Sequence, residues 1–365
     1  VTTLLITNDF GPRIGGIESF NRSVCRFLDD DVVVLTAAQP GDAGWDAAQG
    51  FEVVRVPGPL LPTPRVRRLA QSLQIRHACR AVVFGAAAPL GLLAPALRPR
   101  ATRIVALSHG HEVWWARVRP ARALLRRIGD EVDVLTTISD HTTAAIEQAL
   151  SSRARSRIVR LPPPVDTGLF APRVAERDPR LCVAAGRFVP QKGFRMLLDA
   201  WDLVQRQLGP AYRLHLVGTG PEEGRLRRRA AGGRHPHSVT FLGAVRHEDL
   251  PARLQRAGVF ALPVRSMLGG LYAEGLGLCF VEAASCGLPV VVGASGGAPE
   301  TVLPGRSGFV VDPADPRAVA DAVATLLTDP DTARRMGAVG RDHVGTRYSS
   351  RILRPRFRRI LGLDQ

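Results

Sequence analysis

Short runs made almost wholly of apolar residues recur along the chain, each opening into a glycine-rich or polar loop. Leu4-Leu-Ile, Val32-Val-Val-Leu35, Ala81-Val-Val-Phe84 and Ile104-Val-Ala-Leu107 stand in the first half. Leu181-Cys-Val-Ala-Ala185, Val259-Phe-Ala-Leu262 and Val290-Val-Val292 stand in the second. A strand with one wet face alternates apolar and polar residues. A strand apolar at every position is buried on both faces, which calls for a parallel sheet covered by helices. Strands are expected over 4–7, 32–35, 52–56, 81–85, 103–107, 134–138 and 158–161. A second series starts at Leu181 and continues over 213–217, 239–242, 259–263 and 290–292. With helical stretches between most of them, the pattern predicts an α/β chain of two Rossmann-like, doubly wound domains. The chain's 365 residues suffice for two cores.

The chemistry concentrates in Glu274-Gly-Leu-Gly277-Leu-Cys-Phe-Val-Glu282-Ala-Ala-Ser-Cys-Gly287-Leu-Pro289. A helix is expected from near Gly277 to a glycine cap at Gly287. Eight residues turn a helix through about 800°, so Glu274 and Glu282 lie near one side. The backbone of Gly275, Leu276, Gly277 and Leu278 then offers N–H groups to an anion. Carboxylates accept well from sugar hydroxyls. Together these suit a nucleotide-sugar, with its diphosphate at the helix end and an acid for each flanking sugar. The 49 basic residues are all arginine except Lys192. That lysine lies in Gly186-Arg187-Phe-Val-Pro-Gln-Lys192-Gly193, on the loop after a strand. Arg187 can grip a diphosphate with two prongs and Lys192 as a point charge.

The first strand runs into Asn8-Asp9-Phe10-Gly11-Pro12-Arg13-Ile-Gly15-Gly16. This is not G-x-G-x-x-G, which disfavours a dehydrogenase. Gly15 and Gly16 let backbone approach a ligand closely. Ser108-His109-Gly110-His111-Glu112 follows the strand at 103–107, the usual ligand position in such a sheet. Gly218-Thr-Gly220-Pro-Glu222-Glu223-Gly224 imitates a dinucleotide loop, but its two acids would repel a pyrophosphate. Asp29-Asp30-Asp31 and Asp329-Pro-Asp331 carry a metal-binding spacing, yet fall at helix ends or turns. No metal and no cofactor is expected. Ser139 reads as a helix cap.

Net charge is +16. A helix over 65–73 sets Val66, Leu69, Ala70 and Leu73 on one face with cations opposite. Arg117, Arg119, Arg122, Arg126 and Arg127 form a second basic surface beside a Trp114-Trp115 pair taken as exposed. Both suit an anionic membrane surface. The basic stretches lack base-stacking aromatics, so nucleic acid is not expected. Five scattered cysteines suit a reducing cytoplasm. No uncharged apolar run approaches the ~18 residues of a membrane span, and the opening strand leaves no signal peptide expected. The expected location is cytoplasmic, peripheral on the inner face of the cell membrane.

The Glu274–Glu282 string and the Gly186–Gly193 loop resemble the retaining glycosyltransferases of family four, which have the GT-B fold. The resemblance implies two Rossmann-like domains facing across a cleft, 1–168 for the acceptor and 169–345 for the nucleotide-sugar. A final helix in 346–365 crosses back onto the first. It implies that Glu274 faces the donor sugar and Glu282 the ribose. Arg187 and Lys192 would neutralise the departing diphosphate, and Gly218 and the turn at Val245 would wall the base. Gly15 and Gly16, with Asp9 beside them, would meet donor phosphate and acceptor, and His109 the transferred sugar. A loop at 265–272 is expected to move over the donor.

Within that family the chain is similar to the GDP-mannose-dependent phosphatidylinositol mannosyltransferases. The shared stretches are Thr7-Asn8-Asp9-Phe10, Phe84-Gly85-Ala-Ala-Ala-Pro89-Leu90, His109-Gly110-His111-Glu112-Val113, Leu125-Arg126-Arg127-Ile-Gly129-Asp130 and Ser295-Gly-Gly297-Ala-Pro-Glu300-Thr301. What this implies is transfer of mannose from GDP-mannose onto a membrane glycolipid such as phosphatidylinositol monomannoside. Pro164 stands where the family has glycine, and Trp114-Trp115 and 266–273 depart from it, which leaves the acceptor open. Another nucleotide-sugar or acceptor, a nucleotide-sugar epimerase or hydrolase, and a module binding RNA or membrane are the other readings.

Overall fold

The structure, a computed structural model, describes residues 2–13, 15–173 and 177–364. Ile14 of the first glycine loop lies outside the described residues. The chain divides into two compact units, 1–164 with 350–365, and 165–349. That division puts 165–168 and 346–349 in the second unit.

In the first unit the order is β1 (Thr3–Ile6), α1 (Gly16–Phe27), β2 (Val32–Ala37), α2 (Asp42–Asp46), β3 (Glu52–Val56), α3 (Pro64–Arg76), β4 (Ala81–Phe84) and α4 (Ala94–Leu97). It continues with β5 (Arg103–Leu107), α5 (Glu112–Arg117), α6 (Arg119–Glu131), β6 (Val134–Thr137), α7 (Asp140–Glu147), α8 (Ser152–Arg155) and β7 (Ile158–Arg160). The second unit holds β8 (Asp178–Ala185), α9 (Phe194–Leu208), β9 (Arg213–Val217), α10 (Glu223–Ala231), β10 (Val239–Gly243), α11 (Leu250–Gln255) and β11 (Ala257–Leu262). After these come α12 (Leu278–Ser285), β12 (Val290–Gly293), β13 (Gly308–Val311), α13 (Pro316–Thr328) and α14 (Pro330–Arg347). Helix α15 (Ser350–Leu361) returns to the first unit. There Phe357 meets Phe27 with ring centroids 6.1 Å apart, and Arg103 Nε donates to Ile360 O at 2.8 Å.

Both sheets are parallel, seven strands in the order β3-β2-β1-β4-β5-β6-β7 and six in the order β10-β9-β8-β11-β12-β13. Their central strands are buried along their whole length, as β1, β4, β11 and β12 show. This is what uninterrupted apolar runs require. The strand order reverses between β1 and β4 in one sheet and between β8 and β11 in the other. Loops leaving the carboxyl ends at a reversal diverge to opposite faces and leave a crevice. The loops of the two glycine motifs and of Glu274 leave the sheets at these points.

Local signals set the helix ends. Thr63 caps α3 through Val66 N, Ser139 caps α7 through Thr142 N, and Asp329 caps α14 through Thr332 N. Asp329 is thus engaged as a cap, while Asp29 and Asp30 turn the chain after α1 in left-handed backbone.

Candidate active site

In the second unit the β8 and β11 loops meet through one ion pair. Lys192 Nζ donates to Glu274 Oε2 at 2.6 Å, across 82 positions of sequence. Glycine makes the approach possible. Lys192 lies over Gly186, its Cδ 3.8 Å from where a Cβ would stand. Gly193 has φ +74, and a Cβ there would sit 2.0 Å from Pro263 O. Burial works against the lysine's charge, but the Glu274 carboxylate, with Cys279 and Glu282, outweighs it, and the pKa is raised. Lys192 is therefore a fixed cation whose other two N–H donors are not used by Glu274.

Glu274 is itself clamped. Its carbonyl accepts from Gly297 N at 2.8 Å, and Gly296, at φ +58, would place a Cβ 2.0 Å from that oxygen. The turn at 296–297 therefore positions Glu274. Nothing in the sequence around it marks this role, because the contact joins loops of two strands. Three residues on from Glu274, Gly277 adopts φ +85 and starts α12 with no side-chain cap. The first N–H groups of a helix have no partner within it, and the dipole there favours an anion. Gly275, Leu276 and Leu278 surround that start, Leu276 buried and the others half-buried.

Glu282 lies one side of α12 inward, 6% exposed. Burial pushes its carboxyl up to about 8, against the pull of Lys192. His247 Nδ1 stands 3.7 Å from Glu282 Oε1, a neighbour that nothing in its own sequence context marks. It comes from the loop after β10, which also carries half-buried Val245. Gly218 N donates to Gly243 O at 2.8 Å, joining this loop's base to that after β9. A Cβ on Gly218 would lie 2.0 Å from Gly186 O, and one on Gly220 2.5 Å from Phe188 O. These glycines serve loop packing, which explains why a dinucleotide-like string appears there. Arg187, on the same loop as Lys192, is exposed and forms no ion pair among the described residues. The loop expected to move over the donor folds into a tight turn. Met267 N donates to Tyr272 O at 2.8 Å around Gly269 and Gly270, both at positive φ.

In the first unit, α1 starts at Gly16 behind an uncapped Gly15. Arg13 ties the loop, donating to Asp9 Oδ1 at 2.9 Å and to Glu18 Oε1 at 2.6 Å. Burial and Glu18 raise the Asp9 pKa. Asp9 therefore spends one oxygen inside the loop. Across the reversal, Gly85 follows β4, and a Cβ on it would strike Asn21 and Thr7. His109 Nε2 lies 2.6 Å from Gly85 O. A carbonyl only accepts, so Nε2 carries the proton and Nδ1 is a lone pair. Burial lowers the imidazole pKa to about 4, so the ring is neutral at ordinary pH.

Glu112 is wholly buried and organises the loop. It accepts from Ser108 Oγ at 2.9 Å and His109 N at 3.0 Å, and lies 3.2 Å from His111 Nε2. Burial opposes its charge, but His111, His109 and these donors outweigh that and lower its pKa. Trp115 departs from expectation. It packs against the core, and Trp114 is the exposed member of the pair.

Two family profiles cover most of the chain, "Glycosyltransferase Family 4" over 14–169 and "Glycosyl transferases group 1" over 169–343. A GDP-mannose-dependent alpha-(1-6)-phosphatidylinositol monomannoside mannosyltransferase of Mycolicibacterium smegmatis is 43% identical, over 93% of this chain and 92% of its own. The GDP-mannose-dependent monoacylated alpha-(1-6)-phosphatidylinositol monomannoside mannosyltransferase of Corynebacterium glutamicum is 38% identical, over 98% and 97%. Among solved structures, Anabaena Alr3699/HepE in complex with UDP matches with TM-score 0.83 at 18% identity, over 99% of this chain and all of its own. Sucrose-phosphate synthase from Thermosynechococcus elongatus matches with TM-score 0.81 at 22% identity, over 99% and 98%.

Proposed function

The chain belongs to the family 4 glycosyltransferases, and from that premise we propose that it moves mannose from GDP-mannose, with retention, onto phosphatidylinositol monomannoside in α-1,6 linkage. The mycobacterial and corynebacterial relatives support the donor and acceptor. One observation carries the chemistry: a half-buried lysine, held by Glu274, beside the uncapped start of α12.

Negative charge develops on the departing GDP. Lys192 and the first N–H groups of α12 receive it without rearranging, and Arg187 adds a second cation from the same loop; fixed electrostatic support is the main source of acceleration in many enzymes. Glu274 accepts from mannose hydroxyls while it fixes Lys192. Glu282 takes the ribose diol, and Gly218 and Val245 wall the base. In the first unit, Gly15, Gly16 and Asp9 bound the acceptor side, and His109 offers a lone pair at Nδ1 to a sugar hydroxyl. A neutral imidazole in that tautomer accepts there and is no general acid. Glu274 is committed to Lys192 and does not serve as a covalent nucleophile, so the acceptor attacks from the face that GDP leaves.

The first unit docks on anionic lipid through α3. Arg65, Arg67 and Arg68 are exposed on it, and Leu61 in the loop before it and Ile75 in its last turn are 50% and 58% exposed. Apolar anchors beside cations suit the headgroup boundary. No helix among the described residues is long and apolar enough to cross a membrane.

The test is incubation with a panel of radiolabelled GDP- and UDP-sugars and purified phosphatidylinositol monomannoside, with the anomeric linkage of the product determined. An α-1,6-dimannoside formed from GDP-mannose alone is expected. Equal transfer from a UDP-sugar, or a β-linked product, would overturn the proposal.

A further inference from the structure

The second basic surface does not lie flat. Arg119, Arg122 and Arg126 follow one another at three and four positions on α6, so they share a face. Arg155 joins them from α8, and together with Ser151 and Ser152 they line a cavity of about 560 Å³. None of its lining residues is acidic. The cavity belongs wholly to the first unit and includes none of the residues given roles in transfer.

Two of the arginines are held in place. Arg122 Nη2 donates to Gln148 O at 2.5 Å and Arg155 Nε to Glu147 O at 2.8 Å, both at the carboxyl end of α7. Each keeps its other N–H groups for a ligand. Arg119 and Arg126 are exposed and form no ion pair among the described residues. Nearby Asp130 is engaged by the Ser151 hydroxyl. The backbone approach that forms the wall needs a glycine, because a Cβ on Gly129 would stand 2.9 Å from both Ala154 and Leu150. Four like charges around one concavity repel each other, and an anion between them removes that cost.

We propose that this cavity binds a phosphate ester, at a site separate from the nucleotide-sugar site. The guanidinium fork matches phosphate oxygens in pairs, and several forks converge here with the Ser152 hydroxyl beside them. The phosphate comes either from a soluble ester or from a phospholipid headgroup. The proposal does not depend on which sugar the protein transfers.

The full chain would be titrated at physiological ionic strength in two arms. One uses glycerol 3-phosphate and inorganic pyrophosphate, read by calorimetry. The other uses phosphatidylcholine vesicles with and without phosphatidic acid, read by co-sedimentation. R126E is expected to weaken binding by about tenfold or more, while R306E, a charge reversal in the second unit, leaves it unchanged. Melting temperature and GDP-mannose turnover in solution should match the wild type, and R119Q supplies the comparison if R126E does not fold. Loss confined to the soluble arm assigns a free ester, and loss confined to vesicles assigns a headgroup. Binding in neither arm, binding by R126E as tight as the wild type, or an equal loss in R306E overturns the proposal.

Discussion

Glu282 and His109 are both titratable groups displaced by burial, in opposite senses of charge, and both stay neutral at pH 7. Glu282 keeps its proton until about pH 8 in the free protein. A carboxyl accepting from two ribose hydroxyls favours its ionised form. Donor binding therefore releases a proton, and the affinity for GDP-mannose should rise between pH 6 and 8. E282Q should bind more weakly and lose that slope, measured by calorimetry at several pH values. Stability follows the same linkage with the other sign. The folded state holds a proton that the unfolded state gives up above about 4.5, so this residue's contribution falls as pH rises from there through 8. His109 stays neutral down to about 4, so a pH–rate profile should show no ionisation near 6.5 that H109N abolishes. At Glu112 the role is architectural. E112A leaves Ser108 Oγ and His109 N without their acceptor and should cost about 2–4 kcal/mol, read from denaturant midpoints. The kinds of residue at the site were legible, since Lys192, Glu274, Glu282 and His109 stand in unusual strings. Their couplings were not, because His247 reaches Glu282, and Glu112 turns inward, only through tertiary packing.

Helix α12 and the loops around it hold the chemistry at the element scale. Its predicted span, from Gly277 toward Gly287, matches the helix Leu278–Ser285 because a positive-φ glycine bounds each end. The strands were legible for a similar reason: β3, β5 and β9 have the expected bounds because apolar residues end where loop residues begin. The stretch 302–347 gave no such contrast. There β13 is four residues long, and much of the buried face of α14 is alanine and glycine, which mark a packed side only weakly. The clamp at Gly296 was also illegible, since a close backbone contact leaves no mark beyond the glycine. It makes a sharp prediction. G296A forces a Cβ toward Glu274 O at a φ costly for alanine, by about 1–3 kcal/mol. The KM for GDP-mannose should rise and kcat should fall with it, since the substitution moves Glu274 and with it the lysine that Glu274 holds. Unchanged kinetics would show that the clamp does not position Glu274.

At the scale of the molecule, two parallel sheets each reverse order once, and the loops of Gly15, Lys192 and Glu274 leave at those reversals. The charge of +16 is spread over arginines, with one lysine kept for the site. If α3 docks the first unit on lipid, co-sedimentation should grow with the fraction of anionic phospholipid and fall with salt, and reversing Arg65, Arg67 and Arg68 should abolish it. Binding that ignores both lipid charge and salt would remove that role. The central claim is that a nucleotide diphosphate lies between Lys192 and the start of α12. Its most direct measurement is transfer of mannose under saturating GDP-mannose by wild type and K192A, beside the affinity of each for the donor. The account predicts that K192A folds, binds the donor more weakly and loses about 10²-fold or more in kcat. A K192A protein that transfers at the wild-type rate would contradict it.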